Sequence, residues 1–508
     1  MLATVNSCAL FGLKGYPVTI EADLSNGLPA FEIVGLPDAA VKEAKERVKS
    51  AIVNAGLRFP DHRITVNLSP ASLKKEGAGF DLPIAVALLG ASEQLPLSRT
   101  VTYGFLGELS LSGDLRPVRG ALPACMALKK AGIQRVILPE ENAAEAAVCE
   151  LEVYPAKNLR DLMAHFSANA LLPRKLPSPD MWEEETESLL DFADVRGQQV
   201  ARRGMEIAAS GGHNILMIGP PGSGKTMIAK RLPSILPPMT REESLEVSQI
   251  YSVAGLLPQG RALLKQRPFR NVHHTVSAPA LAGGGAGIPR PGELSLAHNG
   301  VLFLDELPEF HRDALEVLRQ PLEDGTVSLS RVAGQVQYPA SVMLVASMNP
   351  CRCGYYGTDK CRCTPSQVEQ YLHKISGPLL DRVDIHIEVE SVAYEELESR
   401  QKGESSAVMR ERVLRARQQQ AERFAGTDIF CNAQMTPAQV DRFCVLDEEG
   451  NALLKSVFDR LGMSARGYHR ILKVARTVAD LDGAEKIGTV HLAEAIQYRS
   501  FDRKYWGR

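Results

Sequence analysis

No stretch of this chain approaches the ~20 consecutive apolar residues of a membrane-spanning helix. The best, residues 82–89, carries Pro83 and runs into Gly90. Residues 1–10 lack the basic start and long apolar core of a secretory signal, so cytoplasmic placement is the expectation. Cysteine is too sparse for a disulfide scaffold: there are nine in 508 residues. Cys8, Cys125, Cys149, Cys431 and Cys444 are isolated and read as reduced interior side chains. Net charge is only −2, so any nucleic-acid binding must come from local loops or a ring-shaped assembly rather than a globally basic surface. Internal repeats and low-complexity tracts are lacking, and a composition of 44% hydrophobic and 23% charged residues excludes wholesale disorder. At ~150 residues per domain, the length implies about three domains.

What is present is an alternation of strand and helix signals. Residues 18–24 and 64–68 read as strands. Across residues 38–55, Ala40, Val41, Ala44, Val48, Ala51, Ile52 and Ala55 recur at helical spacing, with Asp38 as cap and Gly56 as stop. Pro173, Pro177 and Pro179, followed by Glu183, Glu184, Glu185 and Glu187, read as a linker. The expected division is an α/β domain over 1–170, a linker over 171–190, a second α/β region over 191–390 and a helical segment over 391–508. Helical periodicity in the last is clearest at residues 407–424 and 471–481.

The strongest chemical signal is Gly219-Pro220-Pro221-Gly222-Ser223-Gly224-Lys225-Thr226, between an apolar run at 215–218 and a helix-compatible stretch from Met227. A strand, glycine loop and helix in that order cradle phosphates on backbone amides. Lys225 is placed for the β and γ groups and the Thr226 hydroxyl for Mg²⁺. Residues 301–306, Val-Leu-Phe-Leu-Asp-Glu, supply a buried strand ending in two carboxylates. Asp305 suits Mg²⁺, and Glu306 suits polarisation of the attacking water. A third buried strand over 342–347 leads to Asn349, whose amide is placed to orient that water. Arg382, ahead of a further strand, suits an arginine finger inserted into a neighbour's site, which requires a closed ring.

Together these motifs resemble the AAA+ ATPases of the magnesium-chelatase-like branch, the YifB/ComM family, related to the MCM helicases. Residues 291–298, Pro-Gly-Glu-Leu-Ser-Leu-Ala-His, belong to the same resemblance. It implies a P-loop AAA+ core with a C-terminal helical lid, ATP and Mg²⁺ as cofactors, and a homo-oligomer, expected to be a hexameric ring. It implies Asn349 as sensor 1, Arg382 as the finger and Arg466 as sensor 2, with Arg470 in reserve. It also assigns residues 256–292 to an insertion in the second core helix and 326–338 to a hairpin ahead of sensor 1. The period-two alternation on either side of Ala333-Gly334 supports that hairpin independently. Such hairpins line the pore in the family, which makes Arg331 a candidate DNA-phosphate contact.

Residues 74–83 and 107–118 resemble the Lon protease domain, of ribosomal S5 domain 2-like fold. A serine nucleophile and lysine base are required there, but Gly79 and Pro123 fall at those places. The expectation is a binding or assembly domain, with Ser69 and Ser72 the remaining hydroxyls near Lys74 and Lys75. Cys351, Cys353, Cys361 and Cys363 form two C-x-C pairs after Asn349. Bound Zn²⁺, labile reduced thiols and a disulfide all fit the spacing, zinc best. Tyr355, Tyr356 and Lys360 in the same loop are candidates for stacking on or touching DNA. Residues 451–508 hold eleven basic and six acidic side chains. His273 and His274 have no partners at metal spacing.

The function the family resemblance implies is an ATP-driven DNA motor, a helicase promoting branch migration during recombination or natural transformation, with recombination proteins as partners. The alternatives are a motor subunit for magnesium insertion into a porphyrin and a nucleotide-gated scaffold without translocation.

Overall fold

The computed structural model describes all residues except 168–169, 179–189, 286, 332–333, 392–397, 399–402, 462, 500 and 507–508. Strands β1 (Leu2–Phe11), β2 (Lys14–Ser25), β3 (Ala30–Val34), β4 (Arg63–Ser69), β5 (Tyr103–Phe105), β6 (Arg135–Pro139) and β7 (Glu152–Ala156) form a mixed sheet in the order β3-β4-β2-β1-β5-β6-β7. Helix α1 (Ala39–Asn54) begins where Asp38 accepts the Val41 N–H at 2.8 Å, and turns its periodic apolar residues into the core. Helix α2 (Asp81–Ala91) is the apolar run containing Pro83. All its residues are buried, which explains why it shows no polar face. Helix α3 (Ala121–Lys130) covers the other face with Leu122, Cys125 and Leu128.

The proline-rich segment does not leave this sheet at residue 171 as expected. The Lys175 N–H bonds Val153 O at 2.8 Å, so the chain runs on along the β7 edge; the acidic part of the linker lies outside the described residues.

The second region begins with α4 (Gln199–Gly211), β8 (Ile215–Ile218), α5 (Lys225–Ala229) and α6 (Arg241–Ala254). It continues through β9 (Phe269–Val272), β10 (Val301–Leu304), the hairpin β11 (Thr326–Arg331) and β12 (Gly334–Pro339), β13 (Met343–Met348) and β14 (Ile385–Glu388). Five strands form one parallel sheet in the order β9-β10-β13-β8-β14. Both faces are covered, so the inner strands β8 and β10 are continuously apolar. Ile215, Met217, Phe303 and Val345 face one core layer, and Leu216, Ile218, Leu302, Leu304 and Leu344 the other. The first layer continues into α7 (Ser406–Arg423) and α8 (Ala465–Leu481), where Ile471, Val474 and Val478 join it. The helical segment is therefore packed onto the sheet, and the chain's last helix, Phe501–Trp506, returns Tyr505 to Glu388 at 2.9 Å.

Two sequence readings require correction. Residues 256–292 are not one insertion, because they contain β9, a core strand paired in register with β10. What is inserted is the short antiparallel pair Gly283–Gly284 and Arg290–Pro291, between helices Ala278–Ala282 and Glu293–Leu296. The helix after the glycine loop starts at Lys225, earlier than expected, and is limited to Lys225–Ala229.

The first and second regions meet at α6. The Gly120 N–H bonds Ser252 O at 2.9 Å, and the Ser252 hydroxyl donates to the buried Glu145 carboxylate at 2.5 Å. The hairpin also lies against the first region. A Cβ on Gly334 would stand 2.8 Å from the Phe11 ring, and one on Gly12 2.5 Å from Val336.

Candidate active site

The glycine loop leaves the C-terminal end of β8, and Gly224, at φ +90°, turns the chain into α5. Lys225 is buried, with Nζ 2.7 Å from Gly219 O, 2.8 Å from Pro220 O and 3.3 Å from Asn349 Oδ1. Burial pulls its pKa down to about 8, against the pull of the Asp305 and Glu306 charges. The ammonium is thus held on neutral acceptors where a phosphate would satisfy it better.

Thr226 Oγ1 donates to Asp305 Oδ2 at 2.6 Å, and the Ser347 hydroxyl donates to Asp305 Oδ1. The two side chains expected at Mg²⁺ therefore already touch, at the ends of α5 and β10. A hard cation would find a hydroxyl and a carboxylate oxygen converging there. Glu306 follows with φ +55° and ψ +49°, a left-handed conformation uncommon for a residue with a side chain. Its carboxylate is half exposed and lies 3.7 Å from His274 Nδ1.

Arg382 is elsewhere. Asn214, which precedes β8, donates from Nδ2 to Arg382 O and accepts the Leu344 N–H at Oδ1, both at 2.8 Å. Arg382 thus sits at the N-terminal edge of the sheet, and the glycine loop at the C-terminal edge. The four residues of β8 between them span about 13 Å. Arg382 donates to Pro378 O at 2.7 Å and pairs with Glu323.

Arg466 Nη2 is 3.5 Å from the other Glu323 oxygen. Arg466 therefore lies with Arg382 and away from its own chain's Lys225. Arg470 Nε is 3.2 Å from Asp384, whose carboxylate also takes His213 Nδ1 at 3.2 Å. Burial alone would raise the Asp384 pKa, but the His213 bond and the Arg470 and Lys473 charges hold it down to about 2. Arg382, Arg466, Arg470 and Lys473 line a cleft of about 840 Å³ between the sheet edge and α8.

The four clustered cysteines follow β13. Cys351 is buried and the other three half-buried, and all four sulfurs lie within 4.8 Å of one another. Backbone donors from Arg362 and Tyr355 lower the Cys353 pKa to about 6. Tyr355, Tyr356 and Lys360 are exposed on this loop. Arg331 is exposed on the hairpin, which enters β13 from the opposite end. The two sets of DNA candidates are therefore not brought together along that strand.

Residues 191–397 fit the sequence profile described as "Magnesium chelatase, subunit ChlI", residues 20–142 that of "Subunit ChlI of Mg-chelatase" and residues 403–499 that of its C-terminal part. The chain is 46% identical to YifB of Salmonella typhimurium over 99% of its own length and 98% of that protein's. It is 46% identical to "Competence protein ComM" of Haemophilus influenzae, with the same coverage. It belongs to the YifB/ComM family of magnesium-chelatase-like AAA+ proteins. Membership of the YifB/ComM family implies an ATPase. A further similarity, 27% identity over 39% of the chain, is to Lon protease of Rhizobium meliloti, in keeping with the fold expected for the first region.

In this YifB/ComM member, buried Lys75 places its Nζ 3.0 Å from Gly35 O and bonds Pro70 O as well, and Lys74 pairs with Glu76. With both amines so engaged, neither is set up as a serine-activating base. Sequence reasoning missed His274, Ser347, Asn214 and Glu323 at the two edges. Only the His273-His274 doublet had drawn notice, and spacing alone gave it no partner.

Proposed function

We propose that this protein is a ring-forming, ATP-dependent DNA motor that promotes branch migration, with six copies per ring and recombination proteins as partners. Each copy supplies Lys225, Thr226, Asp305, Glu306 and Asn349 to one ATP and Mg²⁺. The adjoining copy supplies Arg382 and, from the same edge, Arg466. Lys225 and the loop amides hold the phosphates, and Thr226 and Asp305 would hold the Mg²⁺ that neutralises charge between the β and γ groups. Glu306 takes the proton of the attacking water, Asn349 orients that water, and the arginines meet charge on the transferring phosphoryl.

The observation carrying this reading is that the two halves of the centre lie on opposite edges of one parallel sheet. No copy completes its own site, and a head-to-tail ring completes all of them. Residues 1–175 serve as an assembly or binding domain, 176–190 as linker, 191–390 as motor and 391–508 as lid. The hairpin with Arg331, and Tyr355, Tyr356 and Lys360, are the proposed DNA contacts, and the cysteine quartet a Zn²⁺ site. The name of the Haemophilus relative, a competence protein, supports a competence-related role.

Two inactive variants test the shared centre. Glu306→Gln and Arg382→Ala are each expected to abolish turnover alone. An equal mixture should recover activity at about a quarter of interfaces, where an intact Glu306 meets an intact Arg382. No recovery from a mixture shown to co-assemble would refute it. The DNA assignment is tested by comparing hydrolysis with no DNA, single strands, duplex and four-way junctions. Junctions should stimulate most, and equal rates throughout would remove DNA from the function.

A further inference from the structure

We infer that Cys351, Cys353, Cys361 and Cys363 bind one Zn²⁺ that clasps the water-orienting asparagine and the phosphate loop together, so that metal occupancy controls turnover. In a tetrahedral thiolate site with Zn–S bonds of about 2.3 Å, neighbouring sulfurs lie about 3.8 Å apart. Three of the pairs here stand at 3.3, 3.9 and 3.7 Å. All four residues are free thiols, and a close cluster of four is the donor set of a structural zinc site. Arg352 and Arg362, exposed beside the cluster, offset its negative charge. Glycines turn the connecting loop: Gly354 has φ +86° and Gly357 φ +87°.

The cluster is coupled to the nucleotide site at two points. Asn349, whose Oδ1 is 3.3 Å from Lys225 Nζ, is separated from buried Cys351 only by Pro350, itself buried. One turn later, the Gly354 N–H bonds Cys351 O at 3.0 Å, and Gly354 lies so close to the phosphate loop that a Cβ there would meet Pro221 Cδ at 2.5 Å. A metal fixing Cys351 and Cys353 thereby fixes Asn349 on one side and the wall behind Pro221 on the other. Losing it frees the chain on both sides without removing a phosphate ligand. Turnover should then fall more than ATP binding does.

The turnover part rests on the proposed role of Asn349; the metal part does not. The first measurement is elemental analysis of the full-length protein purified without chelator, with about one zinc per chain expected. Absence of metal, or iron in its place, overturns the proposal. The second compares Cys361→Ser/Cys363→Ser, protein stripped with a thiol-directed mercurial, freed of the mercurial with excess dithiothreitol and then resupplied with Zn²⁺, and Gly354→Ala. The double variant and the stripped protein should lose zinc and at least about tenfold in kcat with KM for ATP nearly unchanged, and added Zn²⁺ should restore the stripped protein. Gly354→Ala keeps every thiol, and should keep zinc yet lose turnover. It also covers the case in which the double variant fails to fold. Unchanged kcat after zinc removal overturns the coupling. Asn349→Ala separates the two readings: if it keeps both zinc and full turnover, the asparagine's role fails and the metal site stands.

Discussion

Glu323 holds the guanidinium groups of Arg382 and Arg466 within the single subunit, where an assembled ring would offer them a neighbour's phosphate instead. In the proposed ring the carboxylate would therefore compete with the reaction. Glu323→Gln is expected to raise turnover, by up to about fivefold given the modest strength of half-exposed pairs, in steady-state hydrolysis assays. A fall would show instead that Glu323 aims the arginines. Lys225 yields a pH prediction. In the nucleotide-free site its pKa is lowered to about 8, and bound phosphate favours the charged form. Below pH 8 the amine is already charged and binding takes up little proton. Above it, binding takes up a proton and affinity for ATP should weaken, by up to about tenfold per pH unit. Titration calorimetry in two buffers of different ionisation enthalpy reads that uptake directly, and a pH-independent affinity between 7 and 9 would show the lysine to be fully charged throughout.

β10 carries Asp305 and Glu306 at its end, and its position depends on packing behind the site. Phe303 is fully buried and stacks on Phe269 of the neighbouring strand with ring centroids 5.9 Å apart. Phe303→Ala should cost about 3–5 kcal/mol of unfolding free energy in denaturant titrations, since the cavity opens between helix-covered strands with little room to collapse. The elements most legible in the sequence were those whose signal is local. Asp38, the periodic alanines and valines, and Gly56 mark α1 to within a residue at each end, and the alternating residues around Gly334 mark the hairpin. β9 was missed because its short run, Phe-Arg-Asn-Val, is only half apolar and lies at the sheet's edge, where burial is incomplete. The lower end of the proline-rich stretch was read as linker, yet Lys175 pairs with β7, a backbone bond that side-chain composition does not report.

At the scale of the whole molecule, the proposed shared centre, with Lys225 and Arg382 on opposite edges of the sheet, would make hydrolysis a property of the ring. Specific activity should rise steeply with protein concentration and vanish on dilution to monomers, as followed by light scattering alongside phosphate release. A concentration-independent rate would mean that each copy finds its finger within itself, against the placement of Arg382 at the N-terminal edge.

The sequence by itself determined the phosphate loop, the Asp305-Glu306 pair and the cysteine spacing, because each is a run of neighbouring residues whose chemistry is complete within a few positions. Tertiary structure alone decided that Thr226 meets Asp305 across 79 residues, and Lys225 meets Asn349 across 124. It also decided that Glu323 gathers two arginines and that the cysteine loop rests on Pro221. Parallel strands begin at one edge of the sheet and end at the other, so strand order and direction, which side-chain pattern does not encode, set which residues share an edge.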